Sequence, residues 1–139
     1  MPRTVLIVED VETCAAALEM ALGGMDVNLI TVESGEQAWR VVEDGVEEVG
    51  AIITDLEMRG MDGFELIEKV RAHERVHLPD DLSKRGGVPI VVITGSPDPE
   101  APARVARLGA NAFFPKPYSP VLVREKLEQL LENHDSTKP

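Results

Sequence analysis

Short, largely apolar runs recur five times along the chain, four rich in β-branched residues and the last aromatic: TVLIV at 4–8, VNLITV at 27–32, AIIT at 51–54, PIVVIT at 89–94 and AFF at 112–114. Runs of this kind suit strands, because branching at Cβ packs well on a pleated surface and crowds a helix. Between them lie stretches with helical periodicity. Val11, Cys14, Ala15, Leu18, Ala21 and Leu22 form one stripe; Val41, Val42, Val46 and Val49 repeat the spacing, as do Val123, Leu127, Leu130 and Leu131 near the end. Ser34 with Gln37 and Asp62 with Glu65 have capping-box spacing, and Ser119 before Pro120 reads as an N-cap and first helical residue. Strict alternation of strand and helix implies a parallel sheet, since parallel neighbours need crossover connections and these are right-handed. The expected architecture is a doubly wound α/β domain with five parallel strands and helices on both faces.

Two stretches depart from this economy. Residues 75–88, RVHLPDDLSKRGGV, are polar and longer than the roughly two to six residues of a usual connection, so they read as an exposed insertion. His73 and His77 share a helix face there, but with only Glu74 as an acid between them a solvated helix end is the simpler reading. In GSPDPEAPARV, a cap at Asp98 would put Pro102 at the fourth helical position without a ladder bond, so the fourth helix starts late or has a loose first turn. The polar end from residue 133 is expected to fray, which gives a domain over 1–133 and a tail over 134–139.

Composition bounds the function. A chain of 139 residues suits one domain with one full core, and a formal net charge of −11 repels phosphate backbones and anionic membrane surfaces. Unaided nucleic-acid binding and membrane insertion are therefore not expected. No window reaches the roughly 18 apolar residues of a membrane span, and the first residues have no leader-like apolar run. The single cysteine, Cys14, sits among alanines as a small packing residue, has no internal disulfide partner and fits a reducing, cytoplasmic setting.

In an open parallel sheet, ligands bind outside the carboxyl ends of the strands. There the sequence places Glu9 and Asp10 after the first strand, Asp55 at the end of the third, Thr94 at the end of the fourth and Lys116 after the fifth. Converging carboxylates raise one another's pKa unless a cation sits among them, and oxygen-only ligands favour magnesium. Glu9 and Asp10 alone would serve equally as a helix N-cap; Asp55 and Lys116 at the same edge favour the metal reading. A carboxylate held beside a divalent cation and a lysine is suited to attack phosphorus, with Thr94 donating a hydrogen bond to a phosphoryl oxygen.

Four pieces in order, VLIVEDVE, IITDLEMRGMDGFEL, PIVVITG and GANAFFPKPYSP, make residues 3–133 resemble the receiver domain of bacterial two-component response regulators. The resemblance implies a flavodoxin-like sheet of order 2-1-3-4-5. It also implies magnesium held by Glu9, Asp10, Asp55 and the backbone carbonyl of Glu57, with Asp55 accepting a phosphoryl group from a histidine kinase or histidine phosphotransfer protein. Thr94 and Phe113 would be the switch pair, Lys116 would pair with the phosphoryl group, and the bond before Pro117 would be cis. Three departures stand beside it: an acid at Glu57, a Phe113 without the common hydroxyl, and the long 75–88 connection.

Arg104, Arg107, Arg124 and Lys126 are expected to form a basic group on the surface of the fourth helix, fifth strand and fifth helix, suited to an acidic downstream protein; the resemblance adds homodimerisation through that surface. Eight residues follow Leu131, too few for an effector domain, so the chain is read as a stand-alone receiver or as a fragment. Two rivals differ in class. A pseudo-receiver would bind partners without phosphorylation. A phosphatase of the haloacid dehalogenase type would carry its nucleophile in a D-x-D arrangement after the first strand, whereas Asp55 ends the third.

Overall fold

All five apolar runs form strands of one parallel sheet. The computed structural model describes residues 3–45, 48–77 and 87–136, the last three by backbone alone. In chain order the elements are β1 (Arg3–Val8), α1 (Glu12–Leu22), β2 (Val27–Val32), α2 (Gly35–Gly45), β3 (Val49–Asp55), α3 (Gly63–His77), β4 (Ile90–Thr94), α4 (Ala101–Leu108), β5 (Ala112–Pro115) and α5 (Pro120–Ser136). The sheet order is β2-β1-β3-β4-β5, and every pairing is parallel. The doubly wound, flavodoxin-like expectation holds.

Alternation along each central strand divides the core into two layers. Leu6, Val8, Ile52 and Val92 pack with Ala38 and Val42 of α2, Leu66, Ile67 and Val70 of α3 and Val105 of α4. Val5, Ile7, Ile53, Val91 and Ile93 pack on the other face with Leu18 and Leu22 of α1 and Val123 and Leu127 of α5. Because β1, β3 and β4 are covered on both faces, their runs are continuously apolar rather than alternating with polar residues.

Helix boundaries follow local chemistry, with several adjustments to the sequence expectations. Ser34 Oγ accepts the Gln37 N–H at 3.1 Å and Asp62 Oδ1 accepts the Glu65 N–H at 2.9 Å, while Gln37 Oε1 reaches back to the Glu33 N–H at 2.8 Å. Helix α4 starts late: Asp98 Oδ1 accepts the Glu100 N–H at 2.9 Å, and Pro102 falls in the first turn, where no ladder donor is needed. Val49 does not extend the α2 stripe but opens β3, and Val46 lies outside the described residues. Val11 precedes α1 and is 45% exposed, so it does not belong to the buried stripe. Helix α5 runs through Ser136, three residues into the expected tail.

Residues 75–77 complete α3 instead of opening the insertion, and 78–86 lie outside the described residues. His77 Nδ1 lies 3.2 Å from the His73 carbonyl oxygen, and the two rings stack at 4.0 Å. Neither joins a third metal-capable side chain among the described residues. One buried acid was not foreseen: Glu74 accepts the Val88 N–H at 2.6 Å and the Arg71 guanidinium at 2.7 Å, and Arg71 also donates to the Gly109 carbonyl at 2.7 Å. This network fastens the end of α3 to the segment entering β4 and to the α4–β5 turn. Among the described residues, no helix is long and apolar enough to cross a membrane.

Candidate functional site

Parallel pairing brings the carboxyl ends of β1, β3, β4 and β5 to one edge, with Val8 opposite Thr54, Asp55 opposite Ile93 and Thr94 opposite Pro115. The side chains at and just beyond those ends converge. Asp55, the last residue of β3, is buried; its Oδ1 accepts the N–H groups of Leu56 at 2.7 Å and Glu57 at 3.1 Å. Its Oδ2 accepts from Lys116 Nζ at 2.8 Å. The same ammonium donates to Glu9 Oε1 at 2.7 Å, and Glu9 Oε2 accepts the Val11 N–H at 3.2 Å.

Glu9, Asp10 and Asp55 each offer a carboxylate oxygen within 4.8 Å of the others; Glu9 and Asp55 are buried and Asp10 is exposed. The residue preceding α1 is Val11, with no side-chain cap bond, so the N-cap reading of Glu9 and Asp10 is not realised. Burial raises the Glu9 carboxyl above its usual range, against the lowering effect of its bonds to Lys116 and Val11. Burial alone would lower the Lys116 ammonium, but its hydrogen bonds to Asp55 and Glu9 reverse the sign and hold it above its ordinary value. Three clustered carboxylates, two of them buried, against one ammonium leave an excess of negative charge with oxygen donors only. That donor set fits a hard divalent cation such as magnesium.

Thr94 is buried at the end of β4, and its Oγ1 accepts the Ser96 N–H at 3.1 Å. The Lys116 N–H donates to the Thr94 carbonyl at 2.7 Å, which fixes the lysine's backbone beside the threonine. The Lys116–Pro117 bond is cis, in line with the resemblance. Phe113 pairs with Val92 in register and packs, partly buried, on the face covered by α2, α3 and α4. The Glu57 side chain is exposed and is not in the three-carboxylate group; only its backbone faces Asp55 through the bond above.

The four basic residues do not form one surface. Arg124 turns to α1, donating to the carbonyls of Ala21 at 3.0 Å and Gly23 at 3.1 Å, and the Arg104 guanidinium covers the Phe64 ring at 3.9 Å. Arg107 is exposed, and Lys126 is half-buried and donates to Gln129 Oε1 at 3.3 Å. Two contacts near the site escaped the sequence reading. Glu36 in the first turn of α2 accepts the Met61 N–H at 3.0 Å from a loop 25 positions away, a separation that leaves no local spacing to read. Tyr118 and Cys14 line a cleft of about 480 Å³ with Lys116, Pro117 and Pro120.

Comparison with known proteins settles the family. The response regulator receiver domain family matches residues 5–131. The chain belongs to that family. A chemotaxis protein CheY homolog of Campylobacter jejuni is 30% identical to this receiver over 128 residues, covering 91% of this chain and 90% of its own. The fold of the receiver recurs in a CheY-like receiver domain protein from Methanospirillum hungatei, with TM-score 0.82 at 20% identity over 99% of this chain and 100% of the other. A putative response regulator from Chloroflexus aurantiacus matches the receiver with TM-score 0.75 at 30% identity over 95% and 99% of the two chains.

Proposed function

We propose that this receiver is a phosphorylation-dependent switch in which Asp55 accepts a phosphoryl group from the phosphohistidine of a histidine kinase or phosphotransfer protein. One observation supports it above the rest: Lys116 bridges Asp55 and Glu9 beside the three-carboxylate group. An Asp55 carboxylate oxygen attacks phosphorus and forms the O–P bond as the P–N bond to imidazole breaks; the imidazole keeps the electron pair and takes up a proton. Glu9, Asp10, Asp55 and the Glu57 carbonyl would hold magnesium, which supplies charge neutralisation on the transferred group. Lys116, already bonded to Asp55, neutralises charge on the same group, and Thr94 turns its hydroxyl toward the new phosphoryl oxygens.

Movement of Thr94 frees space beside β4 into which Phe113 repacks, which alters the surface of α4, β5 and α5. Val121 and Leu122 are exposed there, 59% and 53%, and offer apolar contact to a downstream protein or to a second copy of the chain. The setting is cytoplasmic, and the chain acts as a phosphoacceptor rather than as an enzyme on other substrates.

Intact-mass measurement after incubation with magnesium and a small phosphodonor tests the reading beside Asp55→Asn. One added phosphoryl group in the parent and none in the variant is the expected result. Absence of uptake in both supports a binding module that works without phosphorylation, and sustained turnover of phosphate esters supports an aspartyl phosphatase.

A further inference from the structure

We propose that Glu36 is a positioning residue for the phosphoacceptor loop: by accepting the Met61 N–H it fastens the segment that carries the Glu57 carbonyl from Asp55 to α3. This rests on the receiver reading above. At its start the loop is tied by Asp55 Oδ1, which takes the N–H groups of Leu56 and Glu57. At its end the Gly63 N–H donates to the Leu56 carbonyl at 3.0 Å. Among the described residues, the backbone of 58–61 makes one hydrogen bond to another element, and Glu36 supplies the acceptor at 3.0 Å.

The two segments are shaped for each other. Gly60 has φ +74°, and a Cβ there would run into the Glu36 carboxylate. A Cβ on Gly35 would run into the carbonyl oxygen of Met61. Each segment thus places a glycine where the other approaches. The Met61 N–H also holds the Glu36 carboxyl below its usual range, so the acceptor stays ionised and the bond is charge-assisted. Strands β2 and β3 flank β1 in the sheet, so the contact joins the first turn of α2, which follows β2, to the loop after β3, on either side of the strand that leads into Glu9 and Asp10. A loop left untied between Glu57 and Asp62 samples more conformations, and a ligand carbonyl on it binds a cation more weakly.

Glu36→Ala and Glu36→Gln test the proposal with three readouts: Met61 amide exchange in metal-free protein, the magnesium concentration that half-saturates the thermal shift, and phosphoryl uptake against magnesium. Glu36→Ala is expected to speed Met61 exchange and to raise the magnesium midpoint by on the order of tenfold, with uptake recovering at saturating metal. Glu36→Gln keeps an acceptor oxygen without the charge and should fall between the parent and Glu36→Ala. Gly60→Ala breaks the contact from the loop side and should shift the midpoint in the same direction as Glu36→Ala. A parent-like magnesium midpoint in Glu36→Ala overturns the proposal, as does equal loss in the Ala and Gln variants. Should the parent take up no phosphoryl group, the phosphorylation reading fails, while the exchange rate and magnesium midpoint still decide the role of Glu36.

Discussion

Lys116 Nζ lies 2.8 Å from Asp55 Oδ2, although 61 positions separate the two residues in the chain. The ammonium also reaches Glu9 at 2.7 Å, so one partly buried cation holds two buried carboxylates in place. Removing it leaves both acids facing each other without a counter-charge.

Lys116→Met should therefore destabilise the metal-free protein by about 1–3 kcal/mol, measured by urea unfolding at pH 7. A folded pKa raised above the unfolded value gives stability that is full below the unfolded pKa, near 10.4, and is lost only as pH rises through the folded value. The parent–variant difference should accordingly be flat from about pH 6 to 9. A difference that fades across that window contradicts the pairing.

Glu9→Gln should have opposite effects with and without metal. Burial raises the Glu9 carboxyl, so its ionised form costs stability above the unfolded pKa of about 4.3 and the cost disappears as pH falls toward it. The glutamine keeps an acceptor for Lys116 and lacks the charge, so the metal-free variant should melt no lower than the parent at neutral pH. Added magnesium should raise the melting temperature of the parent and leave the variant nearly unchanged. An equal magnesium shift in both would remove Glu9 from the ligand set.

The only tyrosine of the chain, Tyr118, permits a clean optical titration. Burial pushes its phenol up to about 12, with Cys14 and Glu9 nearby adding to the effect. Phenolate absorbance should thus appear well above pH 11 while far-ultraviolet dichroism stays native, against about 10 in urea. The sign follows: the raised value makes folded stability fall as pH climbs past the unfolded phenol value. A native-state midpoint near 10 would show that Tyr118 is solvated.

Gly63→Ala addresses the backbone under Asp55. A Cβ there would run into the carbonyl oxygen of Asp55, which ends β3 and accepts the Thr54 hydroxyl at 2.8 Å. Crowding of this kind costs about 1–3 kcal/mol in a packed region. Phosphoryl uptake at saturating magnesium should fall with it, as the Asp55 carboxylate shifts from Lys116. Stability and uptake equal to the parent would show that the loop yields freely.

Much of this receiver is legible in local pattern. The strands appear as β-branched runs, α1 and α5 as apolar stripes, and the starts of α2 and α3 as cap spacings that form their hydrogen bonds at Ser34 and Asp62. The site was legible for a related reason: parallel strands all deliver their carboxyl ends to one edge, so Glu9, Asp10, Asp55, Thr94 and Lys116 needed only strand assignments to be placed together. The basic group failed the same test. Helical spacing assigns Arg124 a face of α5, but whether carbonyls of α1 wait there depends on how two helices dock.

Residue type and period alone determined the alternation of elements, the faces that are buried and the chemistry available at the sheet edge. Tertiary structure alone decided which distant groups meet: Lys116 with Asp55 and Glu9, Glu36 with Met61, and Glu74 with Val88. The division has a physical cause. Backbone periodicity is set by dihedral angles within a few residues, whereas a contact across 14 to 107 positions depends on strand order, crossover hand and the packing of whole elements.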